Sequence, residues 1–293
     1  MDVLARFLNG FLMLALPLGL GVFLARRLGQ RWGLFGAGVV TFIGSQIVHL
    51  PFNALILNPR LNLGEAALSR DLLLSAALLG LSAGVFEELA RYAVLRFWRR
   101  EARSWRQALM FGAGHGGVES FLLGILVLAA FFQALAYRGA DLTTLVPAEQ
   151  LDIARGQLEI YWALPWPQAM LGALERLFAL CIHLSLSVLV MRAFTNNNRL
   201  WLAAAIGWHT LVDAAAVISL PTLGAVTTEF VVGVLALISL AIVFLSRDEF
   251  KARTEPAPGA RAGLIEQAAP LIDDTSAARL AQEKVDESRF TQS

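Results

Sequence analysis

The sequence predicts an all-α membrane protein, a bundle of about seven transmembrane helices with the N-terminus outside and the C-terminus cytosolic. Three observations predict it. The chain is 57% hydrophobic and only 16% charged, against about 25% charged residues in an average soluble domain. Its apolar runs are about 20 residues long, the length that crosses a bilayer as a helix. Its arginines gather in alternate loops, which orients the bundle.

The first span runs from about Phe7 to Ala25 and stops at Arg26 and Arg27. It is too long for a removable signal peptide and lacks the small-residue cleavage site. The second runs from Leu34 to Leu57 and ends at Asn58-Pro59-Arg60. The third, Leu72 to Phe97, carries Glu87, Glu88 and Arg91; the fourth, Ala108 to Ala136, carries His115 and Glu119. The fifth, sixth and seventh run from Ala169 to Phe194, Leu200 to Leu220 and Gly224 to Leu245.

Arg26, Arg27 and Arg31, the group Arg96, Arg99, Arg100, Arg103 and Arg106, then Arg192 and Arg199, then Arg247, Lys251 and Arg253 mark the cytosolic side. The opposite loops hold only Arg60, Arg70, Arg138 and Arg155. Residues 1–246 form the helical bundle, with 72–220 as its catalytic core and 137–167 as an outer loop. In that loop Pro147 opens a short amphipathic helix with Leu151, Leu158 and Trp162 towards lipid, a connector lying on the surface. Residues 247–293, rich in Ala, Pro, Glu, Asp and Arg, form a mobile cytosolic tail with a weak helical stretch around Ser276–Val285.

The net charge of +1 gives no reason to expect a nucleic-acid partner. The single Cys181 can form neither an internal disulfide nor a thiolate metal cluster, and reads as packing. Arg used almost to the exclusion of Lys points to a GC-rich bacterial genome and to nothing finer. The expected location is a bacterial cytoplasmic membrane.

Every histidine lies inside an apolar span. An ionisable group near the middle of a spanning helix costs about 2.5–3.5 kcal/mol even on the lenient insertion scale. The positions agree in depth: Glu87 is nine residues before Arg96, His115 nine after Arg106, His183 nine before Arg192, and His209 ten after Arg199. At about 1.5 Å per residue, all four sit roughly 13–15 Å inside the arginine boundary. His49, eighteen residues from Arg31, does not, and is read as structural or interfacial.

Glu87 and Arg91, His115 and Glu119, and His209 and Asp213 are each spaced i, i+4, so each pair shares a helix face. Histidine with carboxylate at this spacing suits metal ligation or the orientation of a catalytic imidazole. Gly112, Gly114, Gly116 and Gly117 permit close helix approach beside the site. Blander readings stand beside these. Arg91 would be the partner in a buried salt bridge, and Glu175-Arg176 an ion pair that only fixes packing.

At these residues the chain resembles a known family. Phe86-Glu87-Glu88-Leu89-Ala90-Arg91-Tyr92, then Phe111 to Ser120 around His115 and Glu119, then His183, then His209-Thr210-Leu211-Val212-Asp213, is similar to the YhfC-type intramembrane metalloproteases. These belong with the CAAX-processing and bacteriocin-immunity proteases, the PrsW-type proteases and the scaffold subunit of gamma-secretase. The resemblance covers roughly residues 72–220. It implies a general base at Glu87 or Glu88. It matches Phe111 with His115, and His209 with Asp213, to the paired motifs of the CAAX branch. Glu119 and His183 it matches to the PrsW branch. Arg91 comes one residue sooner than in CAAX-type enzymes, which leaves open which glutamate is the base.

The resulting expectation is hydrolysis of a peptide bond in or near the membrane, in a membrane-protein or lipid-linked peptide substrate. A water held by His115, His183, His209 and an acid would be deprotonated by Glu87 or Glu88, with Arg91 in the catalytic set. Asp213 would orient His209. Zinc on His115, Glu119, His183 and His209 would lower the pKa of that water to about 7; the resemblance to CAAX-type enzymes also leaves open a glutamate-activated water held by the histidines without a metal. The alternative is a non-catalytic scaffold or protection factor of the same fold, since fold does not prove function. An ion- or proton-coupled transporter ranks third, because no repeated halves are visible.

Overall fold

A computed structural model describes residues 1–58 and 72–254, with side chains to residue 247. Arg60, Arg70, Lys251, Arg253 and the helical stretch expected around Ser276–Val285 lie outside the residues or side chains so described. The chain divides into two units, Met1–Arg247 and Asp248–Ser293. Within the first, the apolar runs are helical because a helix pairs every backbone N–H and C=O within its own segment.

Helix α1 spans Asp2–Leu28 and ends on Gly29, whose φ of 66° is the left-handed cap that glycine adopts without strain. α2 spans Trp32–Phe52 and runs on as a π-helical turn, Asn53–Leu57. α3 covers Leu72–Ala93 and likewise continues into a π turn, Val94–Trp98. α4, Trp105–Tyr137, starts three residues earlier than hydropathy suggests because Ser104 and Gln107 form a capping box. After two short 3₁₀ turns come α5 (Leu151–Ala163), the one-turn α6 (Trp166–Ala169), α7 (Leu171–Thr195), α8 (Leu200–Leu223) and α9 (Ala225–Thr254). Among the described residues, seven helical segments are long and apolar enough to cross a membrane, and they coincide with the seven expected spans. α9 continues past the expected boundary at residue 246.

α4 is the hub. It packs against α1, α2 and α7, while α3 packs against α8 and α2, and α8 against α7. α7 is the most enclosed span, with 72% of its apolar window buried. Small residues bring these axes together. A Cβ on Gly114 would overlap the carbonyl of Phe35, and one on Gly116 would stand 2.5 Å from Cδ2 of His183. The His183 ring therefore has its place only because residue 116 lacks a side chain.

Polar staples tie the helices. Asn9 Oδ1 accepts from Ala173 N–H at 2.7 Å near the start of α7, and Trp105 Nε1–H donates to the Val243 carbonyl at 2.7 Å. Arg192 donates to Ser246 Oγ at 3.1 Å and lies over the Trp201 ring.

The connector between α4 and α7 differs from expectation in one respect. Pro147 does lead, through a 3₁₀ turn at Ala148–Gln150, into an amphipathic helix, α5. Yet Leu151, Leu158 and Trp162 are half-buried against the protein, while Ile153 and Ile160 are exposed. Arg6, buried in α1, ties down the C-terminal end of this helix. It donates to the carbonyls of Tyr161 and Leu164 at 2.7 Å each and stacks on the Tyr161 and Trp162 rings. Trp162, on the face expected to meet lipid, thus also packs on a bundle residue. In the same connector, Thr143 donates to Asp141 from its hydroxyl and its backbone N–H. Both bonds hold that carboxyl below its usual range.

Candidate functional site

The agreement in depth becomes contact in space. The rings of His115 and His183 lie 5.4 Å apart, and those of His183 and His209 6.0 Å apart. α3 supplies Glu87, Glu88 and Arg91 to this row, α4 His115 and Glu119, α7 His183, and α8 His209 and Asp213. Glu88, Arg91 and His115 are fully buried, and Glu87, His183 and His209 nearly so.

Glu87 Oε2 accepts from His115 Nε2 at 3.0 Å, and its Oε1 accepts from the Gln46 side-chain amide at 3.0 Å. Glu88 Oε1 pairs with Arg91 and also accepts from His209 Nδ1 at 2.8 Å. Arg91 reaches Glu87 Oε2 at 3.8 Å and donates to His183 Nδ1 at 2.7 Å. Arginine can only donate, so His183 Nδ1 accepts and its Nε2–H faces Glu119 Oε2 at 2.7 Å. Glu119 is held in turn by Arg176 at 2.8 Å, and Arg176 also pairs with Glu175.

Glu87, His115 and His183 each present one ligand atom, and these atoms lie within 4.8 Å of one another. Of the four ligands expected from sequence, His115 and His183 belong to this group. Glu119 stands behind it as the acceptor of His183 Nε2–H, and His209 beside it, between Glu88 and Asp213. Glu87, expected as a base, is the third member of this group. A carboxylate with two imidazoles is a donor set that catalytic zinc sites use, with one position open. A carboxylate behind a ligating histidine is the usual way such a ring is oriented.

Two features of the cluster call for a ligand. Glu88 Oε2 and His115 Nδ1 are buried and make no hydrogen bond. A buried polar atom without a partner is costly, so both atoms favour a bound ligand.

The expected i, i+4 pairs divide. Arg91 does reach Glu87, and His209 Nε2 lies 3.5 Å from Asp213 Oδ2. His115 instead bonds Glu87 while Glu119 bonds His183, so that pair couples two helices to α4. Glu88, at 2.8 Å, holds His209 more closely than Asp213 does. Arg176, read as one half of an ion pair with Glu175, is also the anchor of Glu119. Cys181 is half-buried against apolar neighbours between α1 and α7, with no part in the cluster.

His49 takes the structural role. It is buried, stacked on Phe86, and bonded to Ser82 Oγ at 3.1 Å, Asn53 Nδ2 at 3.0 Å and Gln46 Oε1 at 3.3 Å. Gln46, which sequence reasoning missed, joins this network to Glu87. The available signal was an amide three residues before His49 in an otherwise apolar span, hence on the same helix face.

The sequence model of the YhfC intramembrane metalloprotease family matches residues 12–244. A curated relative, the uncharacterized membrane protein YhfC of Bacillus subtilis (strain 168), is 31% identical over 217 residues. That match spans 72% of this chain and 82% of the relative. No solved structure matches.

Proposed function

The chain belongs to the YhfC intramembrane metalloprotease family, and from that premise we propose that this integral membrane protein hydrolyses a peptide bond within or beside the bilayer. The observation that carries the proposal is the buried Glu87–His115–His183 group beside the unpartnered Glu88 Oε2. We place it in a bacterial cytoplasmic membrane, its arginine-rich ends towards the cytosol.

In this reading Glu87, His115 and His183 hold a divalent metal, zinc by donor chemistry. Bound there, the metal would supply Lewis acidity and a water of lowered pKa. The rest is the work of the chain. Glu119 accepts the Nε2–H of His183, so Nδ1, which here accepts from Arg91, is the atom that would turn to a metal when Arg91 releases it. Arg176 keeps Glu119 in place. Glu88 is the base: Arg91 and His209 fix its Oε1, so the free Oε2 is presented to take a proton from water. The proton taken up on Oε2 then passes from Glu88 to the leaving amine, while His209, donating from Nδ1, keeps Oε1 in place. Burial excludes bulk water and strengthens each of these interactions.

A non-catalytic scaffold is favoured by one observation. Arg91 already bonds Glu88 and His183 and lies near Glu87, a cross-link that would fix α3 against α7 by itself. One pair of measurements separates the readings: elemental mass spectrometry of the purified protein, and cleavage of a fluorogenic Leu-rich peptide in liposomes. The protease reading expects about one metal per chain, lost in His115→Ala/His183→Ala. It also expects Glu88→Gln to retain the metal and lose cleavage. A metal-free wild-type chain that cleaves nothing would leave the scaffold.

A further inference from the structure

Between α2 and α4 lies a groove of about 510 Å³, walled by Phe42, Ile43 and Ile47 on one side and Leu122 and Leu123 on the other. Ile43, Ile47, Leu122 and Leu123 are exposed on the outside of the bundle. The polar members of the lining are Gln46 and Glu119. Each is one hydrogen bond from the metal-competent group: Gln46 donates to Glu87, and Glu119 accepts from His183. The wall residue Phe42 meets the His115 ring edge-on at 5.3 Å. An apolar trough on the lipid-facing surface thus ends on the side chains that touch Glu87, His115 and His183.

We infer that this groove is a binding site for an unwound apolar segment of a membrane-embedded peptide, a proposal that rests on the protease reading above. The apolar walls suit side chains that leave lipid at no cost. The polar end decides the kind of occupant. A lipid acyl chain has nothing to offer Gln46 or Glu119. An intact helix has its backbone groups paired internally and offers them little more. An unwound segment carries free N–H and C=O groups, which are costly in hydrocarbon and need partners. Glu119, with 26% of its side chain exposed, can accept from a peptide N–H, and the Gln46 amide can exchange its long 3.4 Å bond to Ser45 Oγ for one to a carbonyl. A peptide bond held between them comes beside Glu87 and His183.

The test uses the full chain in phosphatidylethanolamine–phosphatidylglycerol liposomes, with benzoylphenylalanine as a photo-cross-linker. It replaces Leu123 in the groove or, as a control, the exposed Leu237 of α9. Two Leu-rich probe peptides of about 20 residues are compared, one with a central Gly-Pro pair that unwinds it and one unbroken. On illumination, Leu123→benzoylphenylalanine should yield adducts with the Gly-Pro peptide about fivefold above those with the unbroken peptide, the equivalent of one net hydrogen bond. The Leu237 control should show no such preference. Ile47→Trp, which fills the groove from an exposed position, should suppress the adduct.

Phospholipid adducts alone, equal yields from the two peptides, or no effect of Ile47→Trp would overturn the proposal. Cross-linking needs no turnover, so the two readings fail separately. Adducts without cleavage would keep the groove and remove the protease. Cleavage without adducts at Leu123 would do the reverse.

Discussion

The polar network around His49 is neutral and closed, whereas the cluster around Glu87 and Glu88 is ionic and open. In the first, His49 Nδ1–H faces Gln46 Oε1, its Nε2 accepts from Asn53, and Ser82 donates to Asn53 Oδ1 at 3.0 Å. None of the buried atoms of these four side chains lacks a partner. In the second, Glu88 Oε2 and His115 Nδ1 have none. A fully satisfied network rigidifies packing, while a partly satisfied one demands something more. Two histidine clusters on neighbouring helices thus divide into one that completes the fold and one that awaits a ligand, with Gln46 between them.

That contrast can be broken at several points. The largest effect is expected from Glu88→Gln, which leaves shape and metal ligands intact but removes the base. Peptide cleavage should fall by about 10²–10⁴-fold, while metal content by elemental mass spectrometry stays the same. Unchanged cleavage would return the base to Glu87.

Arg91→Met comes next. It leaves Glu88 buried without its cation and should lower stability by about 3–5 kcal/mol, read from unfolding in detergent. Arg91→Lys should restore little, because NH1 and NH2 serve Glu88 and His183 separately and an ammonium cannot span both. Full recovery with Lys would show that only the charge matters.

Gln46→Leu cuts the bridge and frees Glu87 Oε1. Zinc affinity by competition with a chelating dye should weaken about 10–100-fold, as for other residues that orient ligands. No change would mean that Glu87 is held by His115 and Arg91 alone. The smallest effect is reserved for the closed network. His49→Phe should reduce stability by about 1–3 kcal/mol by leaving Asn53 and Ser82 short of a partner. Metal content and cleavage should stay within about twofold, since the change is structural. A loss of metal in that variant would erase the distinction between the networks.

Much of this was legible in the linear chain. The spans were, because a bilayer forces each crossing segment to pair its own backbone, so length and polarity carry the whole signal. The shared depth of Glu87, His115, His183 and His209 was legible too, because helix rise converts a count from the arginines into a distance. The i, i+4 spacing of His115 and Glu119 was legible as a pair, but not as a pair that looks towards two different partners. Gln46 went unseen because an uncharged amide inside a span gives a weak signal until its neighbour is known. The hold of Arg6 on the end of α5 was not legible, because amphipathicity tells which residues are apolar, not what will cover them.

The sequence by itself determined an all-helical membrane bundle and the level at which its ionisable side chains gather, since both follow from rise, length and solvent. Only the tertiary structure decided which atoms meet. Glu87 rather than Glu119 or His209 joins His115 and His183, Glu88 keeps a free oxygen, and Gln46 reaches in from α2. Those outcomes depend on how far each helix rotates about its axis. That rotation is set where glycines let distant segments touch, as at Gly114 against Phe35 and Gly116 against His183.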